Sequence, residues 1–163
     1  MNKVLENWQN EGRAGRTGGG GAAGAGGRPT SREIMQYYDL LRQKADREAE
    51  RRKREVYAKV PRIREIEDSI TSLNSELSRI IISDTVDKKK AGAKIRRSME
   101  DLSMEKAFLL TENEYELDYM EPHYICPQCK DTGILESGEK CQCYEKVTRE
   151  QIDQIRSQAT AAN

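Results

Sequence analysis

Bulky apolar side chains are scarce in this sequence. Its 163 residues include one Phe, one Trp and one His, and 36% are hydrophobic against 34% charged. Such a chain cannot fill a large buried core, and long helices that each bury a single stripe suit it better. No stretch approaches the roughly 20 apolar residues of a membrane span. Residues 1–10 also lack the apolar run of a secretory signal. The expectation is a cytoplasmic chain with no membrane partner. Lys plus Arg and Asp plus Glu stand at 28 each, so the overall charge gives no pull toward nucleic acid. No Gly-x4-Gly-Lys-Ser/Thr phosphate cradle and no evident nucleophile–base pairing occur, so the chain does not read as an enzyme.

Cysteine is rare too, but it is concentrated. All four thiols fall between Cys126 and Cys143, as Cys126-Pro127-Gln128-Cys129, eleven residues, then Cys141-Gln142-Cys143. Clustered Cys pairs in a reducing compartment point to one metal ion rather than to disulfides. Four thiolates suit a structural zinc with a closed shell. The competing readings are two disulfides, or four unrelated thiols. His123, three residues before Cys126, is a further candidate ligand in place of one cysteine. A tight turn can aim Cys126 and Cys129 at one ion, and on an extended strand Cys141 and Cys143 would share a face. Between the pairs, Asp131-Thr132-Gly133 reads as a turn. Ile134-Leu135 and Lys140-Cys141 read as two short strands across Glu136–Glu139. This ribbon or knuckle is too small for a core of its own, so the metal would hold it together. Lys130, Lys140 and Lys146 would offset the negative charge of a four-thiolate site.

Taken in order, residues 1–11 predict a short amphipathic helix with Val4, Leu5 and Trp8 on one face. Gly12–Gly27 holds nine of the twelve glycines and reads as a flexible linker. Thr30 and Glu33 form a capping-box pattern that starts a helix running to about Val60, with Ile34, Tyr38, Leu41 and Ala45 as its stripe. Pro61 breaks it and sits in the first turn of a second helix. There Ile63, Ile66, Ile70, Leu73, Leu77 and Ile80 repeat at alternating spacings of 3 and 4, a heptad seam. Ser83–Lys90 reads as a loop. A third helix, about Ala91–Asn113, carries Ile95, Met99, Leu102, Lys106 and Leu109 on one face. The short loop favours an antiparallel hairpin. Tyr115, Leu117, Tyr119, Met120, Pro122 and Tyr124 form the joint that packs the ribbon onto the helices. A last helix is expected over Tyr144–Gln158, with Val147, Ile152 and Ile155 inward.

The fold class expected is therefore mainly α: long helices in an antiparallel hairpin or coiled coil, then a small four-cysteine zinc ribbon or knuckle, then a C-terminal helix. The divisions fall at residues 1–29, 30–115, 116–147 and 148–163.

Charge is unevenly spread. Residues 84–100 hold six Lys/Arg against three Asp/Glu, whereas residues 101–121 hold one against seven. The cluster Lys88, Lys89, Lys90, Lys94, Arg96 and Arg97 opposes the macrodipole at the start of the third helix. It is a solvated surface or a contact for an anionic partner such as single-stranded DNA.

Two resemblances follow from these residues. Glu55-Val56-Tyr57-Ala58-Lys59-Val60-Pro61-Arg62-Ile63, then Tyr119-Met120-Glu121-Pro122-His123-Tyr124-Ile125-Cys126-Pro127-Gln128-Cys129-Lys130-Asp131-Thr132-Gly133, then Lys140-Cys141-Gln142-Cys143-Tyr144 together resemble the N-terminal region of bacterial replicative helicase loaders of the DnaC/DnaI type. The resemblance implies docking on a hexameric replicative DNA helicase during primosome assembly, with Cys126, Cys129, Cys141 and Cys143 as ligands of one structural Zn2+. The AAA+ ATPase that follows in that family has no counterpart in these residues, which implies a loader without its motor, a fragment or a natural truncation. Val4-x3-Trp8-x3-Gly12 faintly resembles the end of a DnaD-type replisome-organiser domain, in which this region is linked to DNA binding. The alternatives are a zinc-containing DNA-binding module acting through the basic helical stretches, and a structural coiled-coil oligomer formed through the Ile63–Ile80 seam. The sequence leaves the oligomeric state open.

Overall fold

The computed structural model describes residues 27–83 and 87–162. The expected N-terminal helix, the glycine-rich linker up to Gly26 and the DnaD-like stretch lie outside the described residues. Among those described there are four α-helices: α1 (Ser31–Lys59), α2 (Pro61–Ile82), α3 (Lys88–Glu112) and α4 (Arg149–Ala161), with a 3-10 turn at Tyr144–Lys146. No helix is long and apolar enough to cross a membrane among these residues. The chain divides into two compact units. Residues 46–123 form the hairpin unit, and 27–45 with 124–162 form the cysteine-bearing unit.

Helix α1 starts where its capping box requires. The Glu33 N–H donates to Thr30 Oγ1 at 3.2 Å, and the Glu33 carboxylate accepts the Thr30 N–H at 2.9 Å. Pro61 ends α1 by forcing Val60 out of helical geometry (φ −132°, ψ 79°), and it then serves as the first residue of α2.

In the hairpin unit α2 and α3 run antiparallel. Arg62 pairs with Glu105 (2.8 Å) and Glu67 with Lys106 (2.8 Å) near the base. Toward the tip, a Cβ placed on Gly92 would meet Leu77 Cδ1 at 3.6 Å. The core lies at the base: Val56, Val60, Ile63, Leu110 and Met120, backed by Tyr57, Leu109, Tyr115 and Tyr119. The expected seam is buried only there. Ile63 and Ile66 are fully covered, whereas Ile70, Leu73, Leu77 and Ile80 are half-buried. The C-terminal half of α1 and residues 115–120 supply a third layer at the base; further out, where only α2 and α3 face each other, Ile95 and Gly92 of α3 are buried but the α2 stripe is only half covered. Helix α3 begins at Lys88 rather than Ala91, so Lys88–Lys90 form its first turn instead of a loop. Tyr115 and Tyr119 fold back onto α1: both hydroxyls reach the Glu55 carboxylate (3.5 and 2.7 Å), and Lys59 and Arg52 lie over their rings. The helix side of the expected joint is thus α1.

In the cysteine-bearing unit the first turns of α1 pack against the 3-10 turn and α4. Ile34, Tyr37, Tyr38, Leu41, Tyr144, Val147, Ile152 and Ile155 make one buried cluster. Arg149 binds the Glu33 carboxylate with two nitrogens, at 3.1 and 3.3 Å. Helix α4 begins at Arg149, not Tyr144. Thr148 caps it, accepting the Gln151 N–H at 3.3 Å while Gln151 Oε1 accepts the Thr148 N–H at 3.0 Å. That reciprocal cap stops the helix from extending back to Tyr144, and the preceding residues form the 3-10 turn.

Candidate metal centre

Residues 125–143 contain no helix and only one isolated bridge. Polar side chains and left-handed backbone give them a fixed shape. Lys130 and Asp131 both have positive φ (53° and 56°), as does Gly133 (76°), so the chain reverses sharply after Cys129. The Lys130 N–H donates to the Cys126 carbonyl at 2.9 Å and closes the first turn. Asp131 stabilises the strained turn. It is 2% exposed. Its carboxylate accepts the N–H groups of Ile125 and Cys126, each at 2.9 Å, and its carbonyl accepts from Arg42 Nη1 at 2.7 Å. The Thr132 hydroxyl lies 2.7 Å from the Cys129 carbonyl and accepts the Ile134 N–H.

The second pair is brought back by backbone. The Cys141 N–H donates to the Gly133 carbonyl at 2.9 Å. The two expected strands reduce to one bridge, Ile134 to Lys140, with Leu135 N–H to Glu139 O at 2.8 Å. Arms of two residues are too short for a ladder. Cys143 is not on a strand either. It has helical dihedrals (φ −66°, ψ −25°) and leads into the 3-10 turn. The two sulfurs of the C-x-C pair therefore converge through a turn, not through the pleat of an extended strand.

The four Sγ atoms all lie within 4.8 Å of one another. Cys126 is 3.8 Å from Cys141, and Cys129 is 3.6 Å from Cys143. A sulfur–sulfur bond needs about 2.05 Å, and all four are free thiols. Metal–sulfur bonds of about 2.3 Å in a tetrahedron put sulfurs about 3.8 Å apart, so the cluster fits one metal ion. Cys129 and Cys141 are buried, and Cys126 and Cys143 partly so. The backbone N–H groups of Cys129 and then Gln128 lower the Cys126 thiol to about 7, whereas burial raises Cys143 to about 12. The Tyr38 hydroxyl, from α1, sits 3.0 Å from Cys143 Sγ. Four protein sulfurs around one ion leave no open position for water or substrate, which is the arrangement of a structural site.

His123 is not part of the cluster. It belongs to the hairpin unit, and its Nε2 lies 3.0 Å from the Asp118 carbonyl. The six basic residues do share the first turns of α3, but on different faces. Lys90, Lys94 and Arg97 follow one another at helical spacing on the side opposite Ile95, Lys89 and Arg96 flank them, and Lys88 is half-buried. None of the six pairs with an acid among the described residues. The sequence reading took Asp131 only as a turn residue and missed Tyr38 and Arg42 as neighbours of the loop. An acid next to a Gly-containing turn was the available signal for Asp131. Tyr38 and Arg42 lie far away in sequence and gave no signal.

No protein-family model, curated protein or solved structure matches the chain.

Proposed function

We propose that this chain is a zinc-stapled docking module of the bacterial replication machinery, the part of a DnaC/DnaI-type helicase loader that binds the hexameric replicative DNA helicase. The single observation that supports it most is the cysteine cluster. Cys126, Cys129, Cys141 and Cys143 converge within a loop whose Cys-x2-Cys-x-Asp-Thr-Gly string resembles that family's, and Asp131, Thr132 and Gly133 each have a structural task in it. Zinc is assigned because four thiolates at tetrahedral spacing are its preferred closed shell, and the cytoplasm keeps thiols reduced. The 163 residues carry no phosphate cradle, so their role is binding rather than ATP hydrolysis. The Lys88–Arg97 cluster favours a second reading, direct contact with DNA phosphate. Its six charges would give a modest, strongly salt-dependent affinity.

The test is a pull-down of the full chain with a replicative helicase hexamer, with and without a zinc chelator, beside a salt series with single-stranded DNA. Helicase capture that chelation abolishes supports docking. Retention of DNA without capture of helicase would replace this reading with the second.

A further inference from the structure

Helix α3 is built against its own dipole. Lys88, Lys89, Lys90, Lys94, Arg96 and Arg97 occupy its N-terminal half with no acid among them, and Glu100, Asp101, Glu105 and Glu112 follow in the other half with only Lys106 opposing. The first turn has no acidic residue and the last no basic one, which destabilises an isolated helix at both ends. On the face turned away from α2, Lys90, Lys94, Arg97, Asp101, Met104 and Phe108 succeed one another at spacings of 4, 3, 4, 3 and 4. All six are exposed, with Met104 71% and Phe108 64% accessible. This is a heptad stripe about 27 Å long.

We infer that this stripe is an antiparallel self-association surface, occupied by the same stripe of a second copy. Charge complementarity identifies the occupant. With a two-fold axis near residue 99, Arg97 meets the second copy's Asp101, Lys94 meets its Met104, and Lys90 meets its Phe108, each layer repeated by symmetry. The central layers are ion pairs. The next place a lysine stem along a thioether, and the outermost place an ammonium against an aromatic ring. The opposed macrodipoles of the two helices also attract. A parallel pairing would stack Lys90, Lys94, Arg97 and Asp101 each on its own copy, giving four like-charge layers. The antiparallel arrangement is isologous, so it closes as a dimer. It goes beyond helicase docking and uses a different face from the Ile63–Ile80 seam.

Sedimentation equilibrium of the full zinc-loaded chain tests this, with circular dichroism to verify folding. The parent should dimerise with concentration and dissociate as salt rises. Arg97→Glu and Asp101→Arg, each made alone, replace two ion pairs with two like-charge layers and should weaken the dimer by about tenfold to a hundredfold. Mixing the two variants should restore dimers. The carboxylate introduced at position 97 of one chain then faces the guanidinium introduced at position 101 of the other, and the unchanged Asp101 of the first faces the unchanged Arg97 of the second. A parent that stays monomeric overturns the inference. So does a mixture no more associated than either variant alone, or an Arg97→Glu chain that loses DNA binding while its association is unchanged.

Discussion

Replacing Asp131 by Asn tests the metal-site loop at one atom. The two side chains have nearly the same volume, so packing is conserved. Oδ1 accepts the Cys126 N–H and Oδ2 accepts the Ile125 N–H, both at 2.9 Å. Asn keeps one oxygen and presents an NH2 group to the other donor, so one charge-assisted bond is lost and one part-buried N–H faces a donor. A bond to a charged group contributes about 1.5–3 kcal/mol, and an unsatisfied buried donor costs about 1–3 kcal/mol. These overlap, and about 2–4 kcal/mol is a fair range for the change. The loop's own core is small, so a metal held by its cysteines would couple binding to the loop's folding. The loss should therefore appear as metal affinity, about 30-fold to 1000-fold weaker, in a competition titration against a chromophoric chelator. Glu136→Gln, on the exposed hairpin tip of the same loop, is the control and should titrate like the parent. If Asp131→Asn binds metal as tightly as the parent, Asp131 does not hold the loop and this account of the site is wrong.

Three other outcomes follow from the same geometry. Cys129→Ser should abolish stoichiometric zinc and disorder residues 124–143 while most of the helical circular dichroism remains; unchanged zinc content by atomic absorption would rule out the four-thiolate set. Gly133→Ala should lower stability by about 2–5 kcal/mol in thermal melts, because Gly133 has φ +76° and its Cβ would lie 2.5 Å from Tyr38 Cε2; a parent-like melt would mean that the contact with α1 is not close. The Glu67 carboxyl is raised by burial but held below its ordinary value of 4.5 by hydrogen bonds from Lys106 and Tyr57. Its folded value is lower than its unfolded one, so its stabilising contribution is present above about pH 4.5 and lost as pH falls through the folded value. Denaturant midpoints measured between about pH 6 and 3 should therefore fall less steeply for Glu67→Gln than for the parent, and identical slopes would count against the Glu67–Lys106 pair.

How much of this was legible in the sequence depends on the range of each signal. Thr30 with Glu33, and Pro61, act within a turn of where they stand, and the starts of α1 and α2 follow from them. The same local rule was available at Thr148 and Gln151 and would have placed α4 correctly. The heptad pattern of α2 identified its inward face but could not say how far along it burial extends. That depends on a third layer from the end of α1 and residues 115–120, which packs with Ile63 at the base, whereas Leu77 further out is half-exposed. Spacing grouped the four cysteines into one set. It could not give the path by which Cys141 and Cys143 converge, because a C-x-C pair can meet through a strand or through a turn. The turn is selected by the 3-10 segment that begins at Tyr144, whose ring stacks on Tyr38 at 6.3 Å between centroids. Tyr38 also carries the hydroxyl beside Cys143 and the ring against which position 133 has no room for a Cβ. One buried tyrosine on α1 thus touches both halves of the cysteine loop. An ion that pulls four sulfurs together would draw them onto a frame that Tyr38 and Asp131 already hold, so metal removal should loosen the loop and leave the long helices intact.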